Sequence, residues 1–510
     1  MAETRLPHPD ATVAETMGTV TEAPTGLLSG YDTGGFYDEA VDETDELRPE
    51  YEVLFDRLRT MTHEELARRA AMSDDTMRKR GVTFTLSADA EAEAEGDEDL
   101  ERTLPMDVLP RVIGGAAWRD LEAGLIQRVS ALNAFLEDLY VGERAAVRDG
   151  IVPWWLVTSS DGFVREAMGV PAPSGVRCLV AGLDLVRGAD GRLRVLEDNL
   201  RNPSGISYVL ENRDLMTRLF PSIVRAHRVR PVGNYGERLL RALRSVAPSG
   251  VADPCVVVMT PGIHNAAYFE HAFLAHQMGV ELVEGHDLLV DGQRVFMRTT
   301  EGPRPVHVIY RRLDDRFLDP VGFRSGSYIG VPGLLSAARA GAVTMANAVG
   351  NGVADDKAVY PFVPDLVRYY LNEEPLLPNV GTYCLWDPDQ RAAVLDRLDE
   401  LVTKPVDGAG GYGLVIGPVA SDERLAVLRA QIEADPRGYI SQEVVQLSRV
   451  PTVAEDGLAG RHVDLRPFII SSADGIEVVP GGLTRVALEP GSLVVNSSQG
   501  GGSKDTWVLR

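Results

Sequence analysis

The chain has 510 residues, 44% hydrophobic and 25% charged, which is the balance of a soluble globular protein. At ~150 residues per unit the length accommodates roughly two to four packed units and an ample core. A formal net charge of −24 argues against a nucleic-acid binder, whose footprint is basic, and against docking on an anionic membrane.

Much of that charge is local. Asp38–Glu46 and Asp89–Glu101 are dense acidic runs, which read as solvated loops or tails. Cys178, Cys255 and Cys384 lie far apart without metal-ligand spacing and read as buried free thiols in a reducing compartment. The N-terminus has no apolar signal core, and no later run reaches ~18 apolar residues. The expected location is the cytoplasm.

In chain order, residues 1 to about 35 hold Pro, Thr and Gly without period and read as a surface wrap or a mobile arm. Pro49 to Ala71 reads as helix, broken once, with Thr62-His-Glu-Glu65 as a start signal. Trp118 to Tyr140 carries an apolar stripe at helical spacing, with its aromatics in the core. Val176–Val186 and Leu193–Leu196 read as the arms of a hairpin whose turn contains Asp190-Gly191.

The second arm runs into Glu197-Asp-Asn-Leu-Arg201. Along a strand Glu197 and Asn199 share one face while Asp198 points away. A carboxylate and an amide oxygen on one face suit Mg²⁺, and Asp184 on the preceding arm completes the set. A polar loop with local Asx turns is the alternative.

Strands at Cys255–Thr260, Val280–Val283, Asp287–Val290 and Val306–Tyr310 surround a helix from Ala266 to Met278, a pattern that predicts an α/β region. Arg311 and Arg312 then follow a strand end, where open α/β sheets hold ligands, and paired arginines grip a carboxylate or phosphate. Salt bridges to Asp314 or Asp315 are the alternative. The Gly/Asn-rich stretch from Asn347 ends in Lys357, beside a helix N-terminus that favours an acid. An anionic ligand accounts for a lysine there, and so does plain solvation beside Asp355 and Asp356.

Leu401–Ile416 reads as strand, lysine, glycine loop and strand. Lys404 ends the first strand, Pro405 stops the ladder, and Gly408, Gly410, Gly411 and Gly413 make a turn with almost no side-chain bulk. A cation beside bare backbone N–H groups suits a polyphosphate. No Gly-Lys-Ser/Thr and no helix follow, so neither the Walker pattern nor the dinucleotide fingerprint applies. An ordinary glycine hairpin beside a solvated lysine is the alternative. Gly438–Val445 reads as a strand able to present backbone groups to an adenine edge. Arg461–Ile470, Glu477–Val479 and Gly482–Ala487 read as one antiparallel sheet with Asp464 and Arg466 on one face. The tail carries an ordered glycine loop from Asn496 and a strand at Trp507–Leu509.

Six motifs in order carry a resemblance over roughly residues 100–510: Leu196–Gly205, Tyr310–Asp315, Gly352–Lys357, Thr403–Gly413, Val463–Phe468 and Asn496–Lys504. Together they resemble the circularly permuted ATP-grasp proteins of type 2, relatives of glutathionylspermidine synthetase-like amide ligases. The permutation shows in the order of parts, with Asp184, Glu197 and Asn199 before Lys357 and Lys404. The implied fold is α/β (α+β), a circularly permuted ATP-grasp with an additional α/β subdomain and an acidic N-terminal extension. The expected division is 1–100, 101–245, 246–345 and 346–510.

The resemblance implies that Lys357, Lys404, the glycines and the Gln442-Glu443 strand bind ATP, and that Asp184, Glu197 and Asn199 bind Mg²⁺. The synthetase relatives have an arginine two residues before the first metal aspartate, where this chain has Gly182. Arg201, Arg311 and Arg466 are then candidates for the γ-phosphate. Arg201 is the preferred choice because it shares the face of Glu197 and Asn199, with Arg311 and Arg312 assigned to a substrate carboxylate. The implied reaction is ATP- and Mg-dependent joining of a small-molecule or peptide carboxylate to an amine through an acyl phosphate. A nucleotide-binding regulatory or scaffold protein without turnover and a phosphotransferase on the same fold are the alternatives. The oligomeric state is not legible.

Overall fold

The computed structural model describes residues 27–85, 101–408, 411, 413–455, 457–495 and 501–510. Gly410, the acidic run from Asp89 to Leu100 and the start of the tail loop, residues 496–500, lie outside the described residues.

A nine-stranded sheet forms the centre. Its main path runs Gly475–Val478, Phe468–Ser472, Val180–Arg187, Gly457–Arg466, Leu483–Val486, Gly502–Val508 and Met106–Ile113, with Leu193–Asn199 pairing Val180–Arg187 and Arg449–Ala454 pairing Gly457–Arg466. All pairings are antiparallel except the last of the path, where the C-terminal strand lies parallel to Met106–Ile113. Neither that pairing nor the strand Met106–Ile113 is legible from periodicity, because all eight of its residues are buried and none alternates with solvent. The stretch read as one strand from Arg461 to Ile470 is two, divided at Pro467, which has no N–H to continue a ladder.

The long helix is Gly115–Tyr140. Its Trp118, Leu121, Leu125, Val129, Leu132, Phe135, Leu136 and Leu139 are all buried. That stripe packs on Phe468–Ser472, Gly475–Val478 and the helix Val363–Leu371. Each such side chain contributes about 1.5–3 kcal/mol relative to exposure.

Four parallel strands make a second sheet in the order Thr344–Ala346, Val308–Arg311, Val256–Met259 and Glu281–Val283. A three-stranded antiparallel sheet, Leu288–Asp291, Arg294–Met297 and Arg304–Val306, stands beside it. The run read as one strand from Val306 to Tyr310 therefore serves two sheets. It breaks at His307, whose ring Nδ1 accepts from Cys255 N at 3.0 Å. A third sheet orders Thr382–Cys384, Tyr439–Glu443, Leu401–Pro405 and Val415–Ile416. Pro405 does not stop the ladder but closes it, paired with Tyr439.

The N-terminal helices are Pro49–Leu58 and His63–Lys79, the second capped by Thr62 Oγ1, which accepts from Glu65 N at 3.2 Å. Before them, Asp38 and Glu39 depart from the solvated run expected there, since both are buried. Glu39 accepts two bonds from Arg111, at 2.8 and 2.6 Å, one from Arg187 at 2.9 Å and one from Ser448 Oγ at 2.7 Å. Burial alone would raise its pKa, but Arg111 and Arg187 hold it down at about 2. The extension is thus clamped to the central sheet by a buried ion pair. Cys178, Cys255 and Cys384 are buried and free. No helix among the described residues is long and apolar enough to cross a membrane.

Candidate active site

The hairpin of Val180–Arg187 and Leu193–Asn199 sets the site by its register. Asp184 lies opposite Glu197, and Gly182 lies opposite Asn199. Alternation then places Asp184, Glu197 and Asn199 on one face, which lines a cavity of about 500 Å³. Lys404, Lys357, Gly408 and Gly411 line the same cavity. Leu196, Leu414, Ile416, Leu493, Val494 and Val495 supply an apolar part of its lining.

The polar face continues across four neighbouring strands. Leu465 pairs with Leu185 and Phe468 with Gly182, which brings Arg466 beside Asp184. Asp464 pairs directly with Arg485 on the next strand. Arg466 donates to Asp184 through Nε at 2.5 Å and Nη2 at 2.7 Å, and Arg485 donates to Asp184 at 2.7 Å and through Nε to Asp464 at 3.0 Å. Burial opposes ionisation of Asp184, yet Arg466 and Arg485 hold its carboxyl well below the usual carboxylate range. Burial pushes Asp464 up.

Gly182 explains why Arg466 stands here. A Cβ at Gly182 would lie 2.9 Å from Pro203 Cβ and 3.4 Å from Arg466 Cδ. The space that a longer residue at 182 would need is filled by the Arg466 stem, so the guanidinium comes from the adjacent strand.

On the opposite wall, Lys357 Nζ donates to Gly408 O at 2.5 Å and lies 3.5 Å from Glu197. Lys404 pairs with Ile440 in the ladder, and its Nζ makes no hydrogen bond or ion pair among the described residues. Its pKa is lowered to about 8, first by burial and then by Lys357, with Glu197 opposing. An anion bound here favours the charged lysine and raises that value. Affinity for ADP is therefore expected to be level below about pH 8 and to fall as pH rises through it. Calorimetric titration of ADP between pH 7 and 9.5 checks this, and Lys404→Arg should flatten the decline, because arginine stays charged. A pH-independent wild-type affinity would remove Lys404 from the phosphate site.

The other expected residues fall in different places. Gly413 adopts φ +69°, and a Cβ there would meet Pro405 Cγ at 2.7 Å, so it shapes the turn without lining the cavity. Gln442 Nε2 donates to Thr382 Oγ1 at 3.0 Å, and Glu443 accepts from Tyr383 Oη at 2.5 Å. Neither residue lines the cavity, and their strand is paired on both sides, with Thr382–Cys384 and with Leu401–Pro405, so the adenine-binding role expected of them has no support in their placement.

Arg311 and Arg312 require correction as a carboxylate grip. Arg311 is fully buried and donates to the carbonyls of Asn347 at 2.6 Å, Leu313 at 2.8 Å and Ala348 at 3.1 Å, with Asp315 at 2.8 Å. It pins the Gly/Asn loop to the parallel sheet. Arg312 pairs with Glu270 at 3.0 Å, behind the cavity wall. Glu270 does face the cavity, and accepts from Gly205 N at 2.7 Å and Ser207 N at 3.1 Å. Arg201 lines the cavity but is tied to Asp314 at 2.8 Å and lies 3.9 Å from Asp355. Lys504 is also structural, buried against Asp107 and the carbonyls of Leu109 and Pro451.

Sequence reasoning missed Arg485, Asp355 and Glu270. Arg485 had a signal, since it alternates with Leu483 as Arg466 alternates with Asp464. Asp355 accepts from Leu200 N at 2.6 Å and Arg201 N at 3.3 Å, and burial pushes it up to about 7 against the pull of Arg201. No periodicity marks such a residue.

The donor row offers oxygens of the kind a hydrated divalent cation takes. Glu197 carries no hydrogen bond and the Asn199 amide has no partner among the described residues, with its Nδ2 buried. Asp184 accepts three guanidinium bonds of the four a carboxylate can take, leaving one position. Two open oxygens and one partly committed carboxylate on one face fit Mg²⁺, which keeps water in its other positions.

A sheet-borne carboxylate face opposed by two lysines and a glycine hairpin defines a protein of the ATP-grasp kind. The family model "Circularly permuted ATP-grasp type 2" matches residues 110–487, and the chain belongs to that family. An uncharacterized protein of Mycobacterium tuberculosis is 52% identical over 487 residues, covering 95% of this chain and 86% of that protein. An uncharacterized Synechocystis protein is 52% identical over 483 residues, with 95% and 99% covered. A Frankia alni protein named "Putative glutamate--cysteine ligase 2-3" is 46% identical over 485 residues, which is 95% of this chain and 55% of that protein. A glutathione synthetase-like effector from Globodera pallida shares the fold at TM-score 0.53 and 12% identity, covering 88% of this chain and 98% of that one.

Proposed function

We propose that this chain is an ATP- and Mg²⁺-dependent carboxylate–amine ligase. The observation that carries the reading is the opposition of Glu197, Asn199 and Asp184 to Lys357 and Lys404 across one cavity. Among the described residues no cysteine or histidine lines that cavity, and a mechanism without a covalent enzyme intermediate suits it. The Frankia relative's name points the same way, although this chain spans about half of that protein.

Lys404 and Lys357 hold the phosphate oxygens and balance their charge. The backbone of Gly408 and Gly411 lets the chain approach the phosphates closely. Mg²⁺ on Glu197, Asn199 and Asp184 would neutralise charge between the transferring phosphoryl group and its leaving oxygen. Arg466 and Arg485 keep Asp184 ionised and aimed into the cavity. Arg466, although it donates to Asp184 and to the Ser204 carbonyl, is the guanidinium set beside the donor row and takes the charge-balancing role first assigned to Arg201. Rate enhancement then comes from positioning and electrostatics.

The acid accepts the γ-phosphoryl group and ADP leaves. An amine attacks the acyl phosphate, the C–N bond forms, and the C–O bond to phosphate breaks with its electron pair on phosphate.

Incubation of the protein with Mg-ATP and pooled acids and amines, read by mass spectrometry, tests this. The expected products are one amide, ADP and inorganic phosphate in equal amounts. A stable phosphorylated acid would make the protein a phosphotransferase, and nucleotide binding without any product would make it a non-enzymatic binder.

A further inference from the structure

A second cavity of about 350 Å³ adjoins the first and shares with it Glu197, Asn199, Arg201, Asp314, Asp355 and Lys357. Most charges on its walls are already paired. Arg316 pairs with Asp161 at 3.0 Å, Arg201 with Asp314 at 2.8 Å, Asp356 with Arg437 at 2.6 Å, and Asp198 with Arg128 at 2.6 Å.

Glu197 and Lys357, on the wall shared with the first cavity, face each other at 3.5 Å. Three other charged groups remain. Arg324 lies over the Phe317 ring at 5.3 Å, and its guanidinium has no hydrogen bond or ion pair among the described residues. The Asp407 carboxylate likewise has none. Asp355 has only two backbone donors, with Arg201 at 3.9 Å. One arginine and two carboxylates around a partly open cavity match a small zwitterion, with carboxylate and ammonium groups of its own.

The placement also orients it. Arg324 and Phe317 line only the second cavity, whereas Asp355 lines both. We propose that this cavity seats an α-amino acid, or the amino-acid end of a small peptide, as the amine substrate. Its carboxylate lies on Arg324 and its amine faces Asp355 at the shared wall. This inference rests on the ligase reading. The ammonium loses one proton to solvent before attack. The remaining amine displaces phosphate from the acyl phosphate, and its second proton leaves with the phosphate as HPO₄²⁻. Phe317 fixes the guanidinium from below through its ring face.

Equilibrium binding tests the site separately from turnover. The full chain is loaded with Mg²⁺ and the β,γ-methylene analogue of ATP, and a mixture of L-amino acids is added while the melting temperature is followed. A second rise beyond that of the nucleotide is expected. Arg324→Ala, on an exposed loop, should need at least a tenfold higher amino-acid concentration for the same rise, as for loss of a charged hydrogen bond. Arg324→Lys should restore part of it. The proposal is overturned if the second rise is absent, if it survives intact in Arg324→Ala, or if propionate or butylamine alone produces it equally. An amino-acid rise with no amide formed from any acid supports the site and sinks the ligase reading. Amide formation on simple amines with no amino-acid rise keeps the ligase reading and sinks this site.

Discussion

Glu197→Gln is expected to lower ATP turnover by about 10²–10³-fold, the usual cost of removing one preorganised electrostatic group from a reacting centre. Glu197 is half of a cross-strand pair with Asp184, and it faces Lys357 at 3.5 Å and Arg466 at 3.9 Å. Its carboxylate has no hydrogen bond to lose, so the amide should occupy the same space without unfolding the hairpin. ADP binding through Lys404 should persist, because that lysine stands on a different strand and its Nζ makes no hydrogen bond to Glu197. The measurement is ADP formation under limiting Mg²⁺ beside calorimetric ADP affinity. Wild-type turnover in a folded Glu197→Gln protein would show that Glu197 does not serve the reaction.

Arg485→Met should cost about 3–5 kcal/mol of stability, because it leaves a buried carboxylate without its counter-charge. Arg485 bridges Asp184 at 2.7 Å and Asp464 at 3.0 Å. Asp184 retains Arg466, but the Asp464 carboxylate is left with no other cation in hydrogen-bond contact among the described residues, Arg111 donating only to its backbone carbonyl. Burial already pushes Asp464 up, and without Arg485 it would rise further. A carboxyl whose folded pKa lies above its unfolded one binds more protons when folded, so the native state gains as pH falls. The deficit of Arg485→Met should therefore shrink between neutral pH and the unfolded carboxyl range. Arg485→Met with Asp464→Leu should recover much of the loss. Denaturant midpoints at two pH values check both statements. An equal deficit in the single and double variants would mean that the arginine acts through packing rather than charge.

Local chemistry made part of this molecule legible from its residues alone. The hairpin at Asp184 and Glu197 is joined by a short turn, so alternation was enough to put Asp184, Glu197 and Asn199 on one face. The long helix declared itself by its stripe, and Lys404 by its place between a strand and a glycine turn. These are relations between residues close in the chain, where backbone period determines geometry.

Partnerships across long distances were not legible. Arg485 reaches Asp184 from 301 residues away, and its role follows from strand order rather than from any local pattern. Arg311 and Arg312 follow a strand end just as a ligand-binding pair would. Only the docking of residues 347–351 and of Glu270 onto them shows where their donors go. The surroundings of Arg201 and Arg466 have the same origin. Asp314 and Asp355 engage the first, while Asp184 and the Ser204 carbonyl engage the second, for which the glycine at 182 makes room. The sequence determined which faces are polar and which segments are strands. Tertiary packing decided which of the many arginines are buried structural ties and which line the cavity, because burial and competing acceptors are properties of the assembled sheets.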